Sequence, residues 1–206
     1  MHWLDPDHLP VTTGVVERFT INLDGDIDGL VLSDQTLVHT PPHLSDKLKA
    51  SVRPGGSVRV RGVKPRGADL IAAVSIETAG GAVVIDEGPE EKDADSGDQL
   101  PKAERAAMEA SGIVRLTLFA PKGQVRGALL HDGTILHLGH KEARRHSDRL
   151  RPGSEVSVHG EGLVNERGRV IEVREIAKSD GTFEPVKKPK HEDANAAEPD
   201  AAEATA

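Results

Sequence analysis

The sequence contains no cysteine and very few aromatic residues. Its 206 residues include three Phe, one Trp and no Tyr. The absence of cysteine excludes disulfides, thiolate metal sites and a cysteine nucleophile, and it fits a reducing compartment. With so little aromatic mass, any core must be built from Val, Leu, Ile and Ala. Gly (21) and Pro (13) are plentiful, which is typical of short strands joined by turns.

Long apolar runs and targeting segments are also lacking. No stretch approaches the roughly 20 apolar residues that span a bilayer. The N-terminal residues 1–8 have neither a basic nor an apolar region, so they do not resemble a signal peptide. We therefore expect a soluble cytoplasmic protein without a membrane partner.

Enzyme signatures are missing as well. The sequence has no phosphate-binding glycine loop, no Gly-x-Ser-x-Gly turn and no His-Glu-x-x-His helix. The net charge of −8 argues against a nucleic-acid binder, but residues 110–180 carry 12 Lys and Arg against nine Asp and Glu, a local charge of +3. We expect a protein that is not an enzyme and needs no cofactor.

A duplication organises the chain. A shift of 98 residues places Gly14–Gly62 on Gly112–Gly160 without a gap, and 14 of these 49 positions are identical. Each copy predicts three strands, a short helix and two further strands. In the first copy, Leu44, Leu48 and Val52 form the apolar stripe of that helix.

This order predicts an all-β fold of two tandem five-stranded OB-type barrels, each with a short helix between strands 3 and 4. The predicted segments are an N-terminal leader (1–10), a first domain (11–87), an acidic linker (88–110), a second domain (111–180) and a disordered tail (181–206). The linker is assigned because residues 87–99 are acidic and contain no large apolar residue, and the tail is assigned because no core-forming residue follows Val186.

Three motifs of the first copy resemble an uncharacterised bacterial family of OB-fold, nucleic-acid-binding-like proteins. They are Gly-x-Val-x-x-Phe at 14–19, Gly-x-x-x-Gly-x-x-Leu at 25–32, and Asp-x-Thr-x-x-His-x-Pro-Pro-His-Leu at 34–44. The second copy is less similar, because Gly139-His140-Lys141 replaces Pro41-Pro42-His43. The resemblance implies an OB fold, and its functional label rests on the fold alone.

Basic residues occupy the places where OB barrels bind ligands, which are strands two and three and the loops after strands one and four. The candidates in the second copy are Lys122, Arg126, Arg167 and Arg169, with Arg144 and Arg145 in the helical segment. Those in the first copy are Arg59, Arg61, Lys64 and Arg66. They could neutralise phosphates, or they could be solvated surface charges.

Two further patterns are candidate metal sites. Histidines His39, His43, His137 and His140 have spacings that could hold Zn²⁺ or Cu²⁺. Because their neighbours differ between the copies, we expect structural histidines and no shared metal site. The run Asp24–Gly29 begins like a calcium loop, but Gln35 stands where the bidentate carboxylate belongs, so we expect an acidic hairpin loop.

The sequence thus predicts a non-enzymatic protein that binds nucleic acid weakly, without sequence preference and mainly through the second repeat. Single strands are favoured as the partner. Strands two and three carry no aromatic side chain for base stacking, and Phe19 and Phe119 are expected in the core. The alternatives are a protein-interaction or assembly module and a histidine-based metal-binding module.

Overall fold

The computed structural model describes residues 6–88 and 104–187, which form two closed five-stranded barrels with one extra strand each. The strands of the first barrel are β1 (Val11–Ile21), β2 (Ile27–Leu32), β3 (Leu37–His39), β4 (Ser57–Val63), β5 (Leu70–Thr78) and β6 (Val83–Ile85). Those of the second are β7 (Ala106–Phe119), β8 (Val125–Leu130), β9 (Thr134–His137), β10 (Glu155–Asn165), β11 (Gly168–Ala177) and β12 (Phe183–Pro185). The prediction of two tandem barrels is confirmed.

Both barrels close in the same way. In the first, β1 pairs with β2 on one side and β4 on the other, and the short β3 closes the barrel by pairing in parallel with β5. Helix α1 (Ser45–Ser51) connects β3 to β4, and α2 (His140–Arg145) does so in the second barrel. This is the strand order of an OB barrel. The predicted stripe of Leu44, Leu48 and Val52 is buried in the first core.

The second barrel extends beyond the predicted range 111–180 at both ends. Strand β7 begins at Ala106, inside the predicted linker, because its first residues pair with β10 as far as Gly162. Strand β12 lies in the predicted tail, pairs with β11, and is followed by the buried Val186. A strand can pair through its backbone at a sheet edge with few core residues. The composition of these two segments therefore does not predict the strands that they form.

The two barrels pack against each other through apolar side chains. The outward faces of β2, β3 and β5 meet the outward faces of β8, β9 and β11. They form one shared cluster of buried residues, made of Ile21, Val31, Leu37 and Leu70 from the first barrel and Leu118, Leu129, Ile135, Leu163 and Val170 from the second. The described residues therefore form three cores, one inside each barrel and one between them.

Loops at the edges of this contact interlock in a reciprocal way. The β1–β2 loop of the first barrel meets the β10–β11 loop of the second, where the Asn165 amide donates to the Gly25 carbonyl at 3.2 Å. At the other edge, Gly123 in the β7–β8 loop lies so close to the β4–β5 loop that an added Cβ would stand 3.2 Å from the Arg66 carbonyl oxygen. Because Gly25 and Gly123 are equivalent, the barrels are related by an approximate twofold axis.

Candidate functional site

The face that OB barrels use for ligands is covered in both repeats. That face is the outer side of strands two and three. In the first barrel it carries Val31 and Leu37, which are at most 4% exposed, and in the second it carries Leu129 and Ile135, which are at most 3% exposed. Each barrel shields this face of the other, so a ligand must approach the protein elsewhere.

An ion pair lies within the covered face. Arg126 on β8 donates to the Asp28 carboxylate on β2 at 2.5 Å, and the Thr20 hydroxyl donates to its other oxygen at 2.7 Å. Only 2% of the Asp28 side chain and 17% of the Arg126 side chain are exposed. The predicted phosphate ligand Arg126 therefore has a carboxylate partner at the centre of the barrel contact.

His39 and His137 are the equivalent strand-three histidines, and both lie near this ion pair. Burial, followed by the positive charge of Arg126, lowers the pKa of His39 to about 4. Burial and Arg126 also lower the pKa of His137. Both rings are neutral at pH 7, and the duplication has brought them to the same part of the interface.

A second ion pair joins the barrels at the surface. Both guanidinium nitrogens Nη1 and Nη2 of Arg115 on β7 donate to the Glu17 carboxylate on β1, each at 2.5 Å. This bidentate hydrogen bond lowers the pKa of Glu17 and raises the pKa of Arg115. Such two-pronged pairs fix geometry as well as adding energy.

The other candidate metal ligands are dispersed. His43 lies 3.0 Å from the Asp86 carboxylate, His140 is exposed at the start of α2, and Asp24 pairs with Arg105 at 3.4 Å. Asp28 faces Arg126 and does not join Asp24 in a loop site. Within residues 6–88 and 104–187, no three acidic or histidine side chains converge as metal ligands would.

Several residues were predicted to bind phosphate on β4 and in the second barrel. Most of them already contact other groups of the protein. Arg59 pairs with Glu77 and Arg61 with Asp7. Arg145 donates to the Val186 carbonyl and Arg169 to the Glu109 carbonyl. The exposed Arg144 lies on α2.

Three other predicted residues come together at one edge of the barrel contact. Lys64 and Arg66 belong to the β4–β5 loop, and Lys122 belongs to the β7–β8 loop that interlocks with it. All three are exposed. The packing of the barrels thus unites candidates from both repeats in one basic patch.

A groove at the opposite edge combines positive charge with an aromatic ring. It has a volume of about 410 Å³ and is formed by the end of β1, α1 and the β10–β11 loop. Its lining consists of Arg18, Phe19, Lys49, Arg53, Pro54, Glu166 and Arg167. We call it the Arg18 groove. Four cationic side chains face one carboxylate, which gives the lining a net charge of +3.

Several cations of the Arg18 groove are held in place. Arg167 donates to the Gly25 carbonyl at 3.0 Å and lies 3.3 Å from Glu166, while Arg53 donates to the carbonyls of Lys49 and Val52. Arg18 makes no hydrogen bond or ion pair with any residue in the described part of the chain. Its guanidinium packs closely against Gly133 in the β8–β9 turn of the second barrel, and its charge contributes to lowering the pKa of Glu17. Because its N–H groups have no acceptor among the described residues, they can donate to an anion in the groove.

Of the groove cations, only Arg167 was among the sequence candidates. A bulge in β1 between Val16 and Arg18 shifts the alternation of the strand, so Phe19 packs on the first core and also lines the groove. The sequence carries no turn or glycine signal for this bulge. The predicted contact of Phe19 with the core is observed, and its place in the groove lining is an addition to that prediction.

No helix among the described residues has the length and apolar character needed to cross a membrane. Comparison of the chain with protein-family models, curated proteins and solved structures finds no match. The resemblance to a bacterial OB-fold family stays a prediction, and the case for function rests on the geometry of the molecule.

Proposed function

We propose that the protein binds single-stranded nucleic acid in the Arg18 groove, without strong sequence preference. The observation that carries the proposal is the presence of one aromatic ring and four cationic side chains in a single groove between the barrels. Phosphates would be neutralised by the cations, and a base would stack on Phe19.

The character of the groove favours this ligand over others. Its volume of about 410 Å³ falls in the range of small-ligand sites and holds a nucleotide-sized group. A single strand can turn an unpaired base towards Phe19, whereas a duplex keeps its bases stacked. The contacts involve a ring face and phosphates, which every nucleotide offers, so sequence discrimination is expected to be small.

This proposal changes the location given by the sequence prediction and keeps its ligand class. Arg167 is common to both, while Arg126 is assigned to the barrel contact because it faces Asp28. The exposed patch of Lys64, Arg66 and Lys122 offers further phosphate contacts at the other edge of the barrel contact. Longer strands are therefore expected to bind more tightly than mononucleotides.

The test is fluorescence anisotropy with a labelled single strand of roughly ten nucleotides, titrated at several salt concentrations. Replacing Arg18 and Arg53 by Ala should weaken binding at low salt. The slope of log K against log salt should fall by about 0.7 for each phosphate that the variant no longer neutralises, because fewer counterions are released. The matched control replaces Arg59 and Arg61, which pair with acidic side chains elsewhere, and should bind like the wild type.

A second variant addresses stacking. Phe19→Leu keeps an apolar side chain against the first core and removes the ring, so binding should weaken by about 1–3 kcal/mol with no change in the salt slope. The proposal fails if the wild type does not bind at low salt, or if the control pair weakens binding as much as Arg18 and Arg53 do. In either case the protein-interaction alternative would take its place.

A further inference from the structure

Two ion pairs between the barrels join positions that are equivalent in the duplication. Glu17 pairs with Arg115, and Asp28 pairs with Arg126; in both pairs the residues are 98 positions apart. This is the same shift that superimposes the repeats. A residue contacts its own equivalent only where it lies on or beside a twofold axis. These two pairs therefore mark the axis that relates the barrels.

The apolar part of the contact is nearly the same on both sides of this axis. Val31 is equivalent to Leu129 and Leu37 to Ile135, and all four belong to the shared cluster. Such a surface attracts a copy of itself as readily as it attracts its partner. Apolar burial thus stabilises pairing and gives little selectivity between like and unlike repeats.

The charged residues on the axis distinguish the pairing of two identical repeats from the pairing of two different repeats. Two copies of the first repeat in this arrangement would bring Glu17 against Glu17 and Asp28 against Asp28. Two copies of the second would oppose Arg115 to Arg115 and Arg126 to Arg126. Because Asp28 is 2% exposed, an uncompensated like charge beside it would be strongly unfavourable.

The environment of Asp28 is adapted to its charge. The Thr20 hydroxyl donates to the Asp28 carboxylate, whereas Leu118 occupies the equivalent position behind Arg126 and belongs to the shared apolar cluster. A donor stands beside the anion in one repeat, and the equivalent position of the other repeat carries an apolar side chain. The asymmetry therefore extends beyond the charged residues.

We propose that these opposite charges make the pairing face of each repeat specific for the other repeat. The face of β1 and β2 accepts the second barrel of the chain and rejects a barrel of its own type. This inference concerns assembly alone and does not depend on the proposed nucleic-acid function.

The test reverses the outer pair in the full-length chain. Glu17→Arg places two cations together and Arg115→Glu places two anions together, so each should lower the Tm by about 3–8 °C. The double variant restores opposite charges and should recover most of that loss. The control combines Arg115→Glu with Arg59→Glu, which breaks the pair with Glu77 inside the first barrel, and these two losses should add.

Selectivity is read separately from stability. A protease site placed among residues 89–103 allows the wild type and an isotope-labelled double variant to be cut, mixed and followed by native mass spectrometry. Parental pairs should exceed mixed pairs by roughly tenfold, since each mixed pair opposes like charges at one position. Statistical mixing would overturn the proposal. It would also be overturned if the Tm of the double variant fell by the sum of the two single decreases.

Discussion

The ionisation of one residue, His39, makes the free energy of unfolding depend on pH. His39 faces Asp28 and Arg126, and burial with the Arg126 charge holds its pKa at about 4, below the ordinary 6.5. Between these two values the unfolded chain binds a proton that the folded protein does not, so acidification favours unfolding. The stabilisation is complete above pH 6.5 and is lost as the pH falls towards 4, by up to about 3 kcal/mol.

Urea unfolding at pH 7, 5.5 and 4.5 measures this dependence. We expect His39→Gln to lose less stability than the wild type over this range, because it has no imidazole to protonate. His140→Gln, at an exposed position on α2, should follow the wild-type curve. If His39→Gln and the wild type showed the same slope, the buried ring would not be the group responsible.

At the scale of one element, helix α1 serves both the fold and the groove. Leu48 points into the first core and is fully buried, whereas the next residue, Lys49, is exposed and lines the Arg18 groove. Leu48→Ala should reduce the free energy of unfolding by about 2–5 kcal/mol, since it leaves a cavity. Lys49→Ala should change stability by less than about 0.5 kcal/mol while weakening oligonucleotide binding.

Chemical denaturation of both variants, with anisotropy on the second, separates these roles. A Lys49→Ala protein that unfolded as easily as Leu48→Ala would show that the exposed face of α1 is structural. Equal oligonucleotide binding by Lys49→Ala and wild type would remove this helix from the groove's function.

The elements were predictable because their signals are local. Alternation of apolar residues, Asp-Gly and Pro-Gly turns and the helical stripe at Leu44, Leu48 and Val52 require no knowledge of distant contacts. The contact between barrels also left a signal in the sequence. Strand β2 has apolar residues on both faces, as Leu30, Val31 and Leu32 show, which indicates burial on both sides.

The Arg18 groove was not predictable in the same way. Its lining comes from β1, α1 and a loop of the other barrel, so its charge exists only after the barrels pack. The bulge before Arg18 also breaks the alternation from which side-chain direction is inferred. Local patterns can place residues on strands, but they cannot show which surfaces of two barrels will meet.

For the whole molecule, the packing of the barrels changes the expected result of limited proteolysis. The sequence predicts cleavage within residues 88–100 and after about residue 186, because these segments are polar. We expect two resistant fragments on a denaturing gel that elute together in native gel filtration, since the shared apolar cluster holds them. Two separate native peaks at high protein concentration would contradict the packing of the barrels.

The covalent connection between the two barrels has a consequence for how firmly they must bind. A short tether gives its ends an effective concentration in the millimolar range. A dissociation constant of roughly 10 μM between free barrels would then keep about 99% of intact molecules closed at any dilution. After cleavage the closed fraction would depend on concentration. A modest mutual affinity is thus enough to keep both ligand faces covered in nearly all intact molecules.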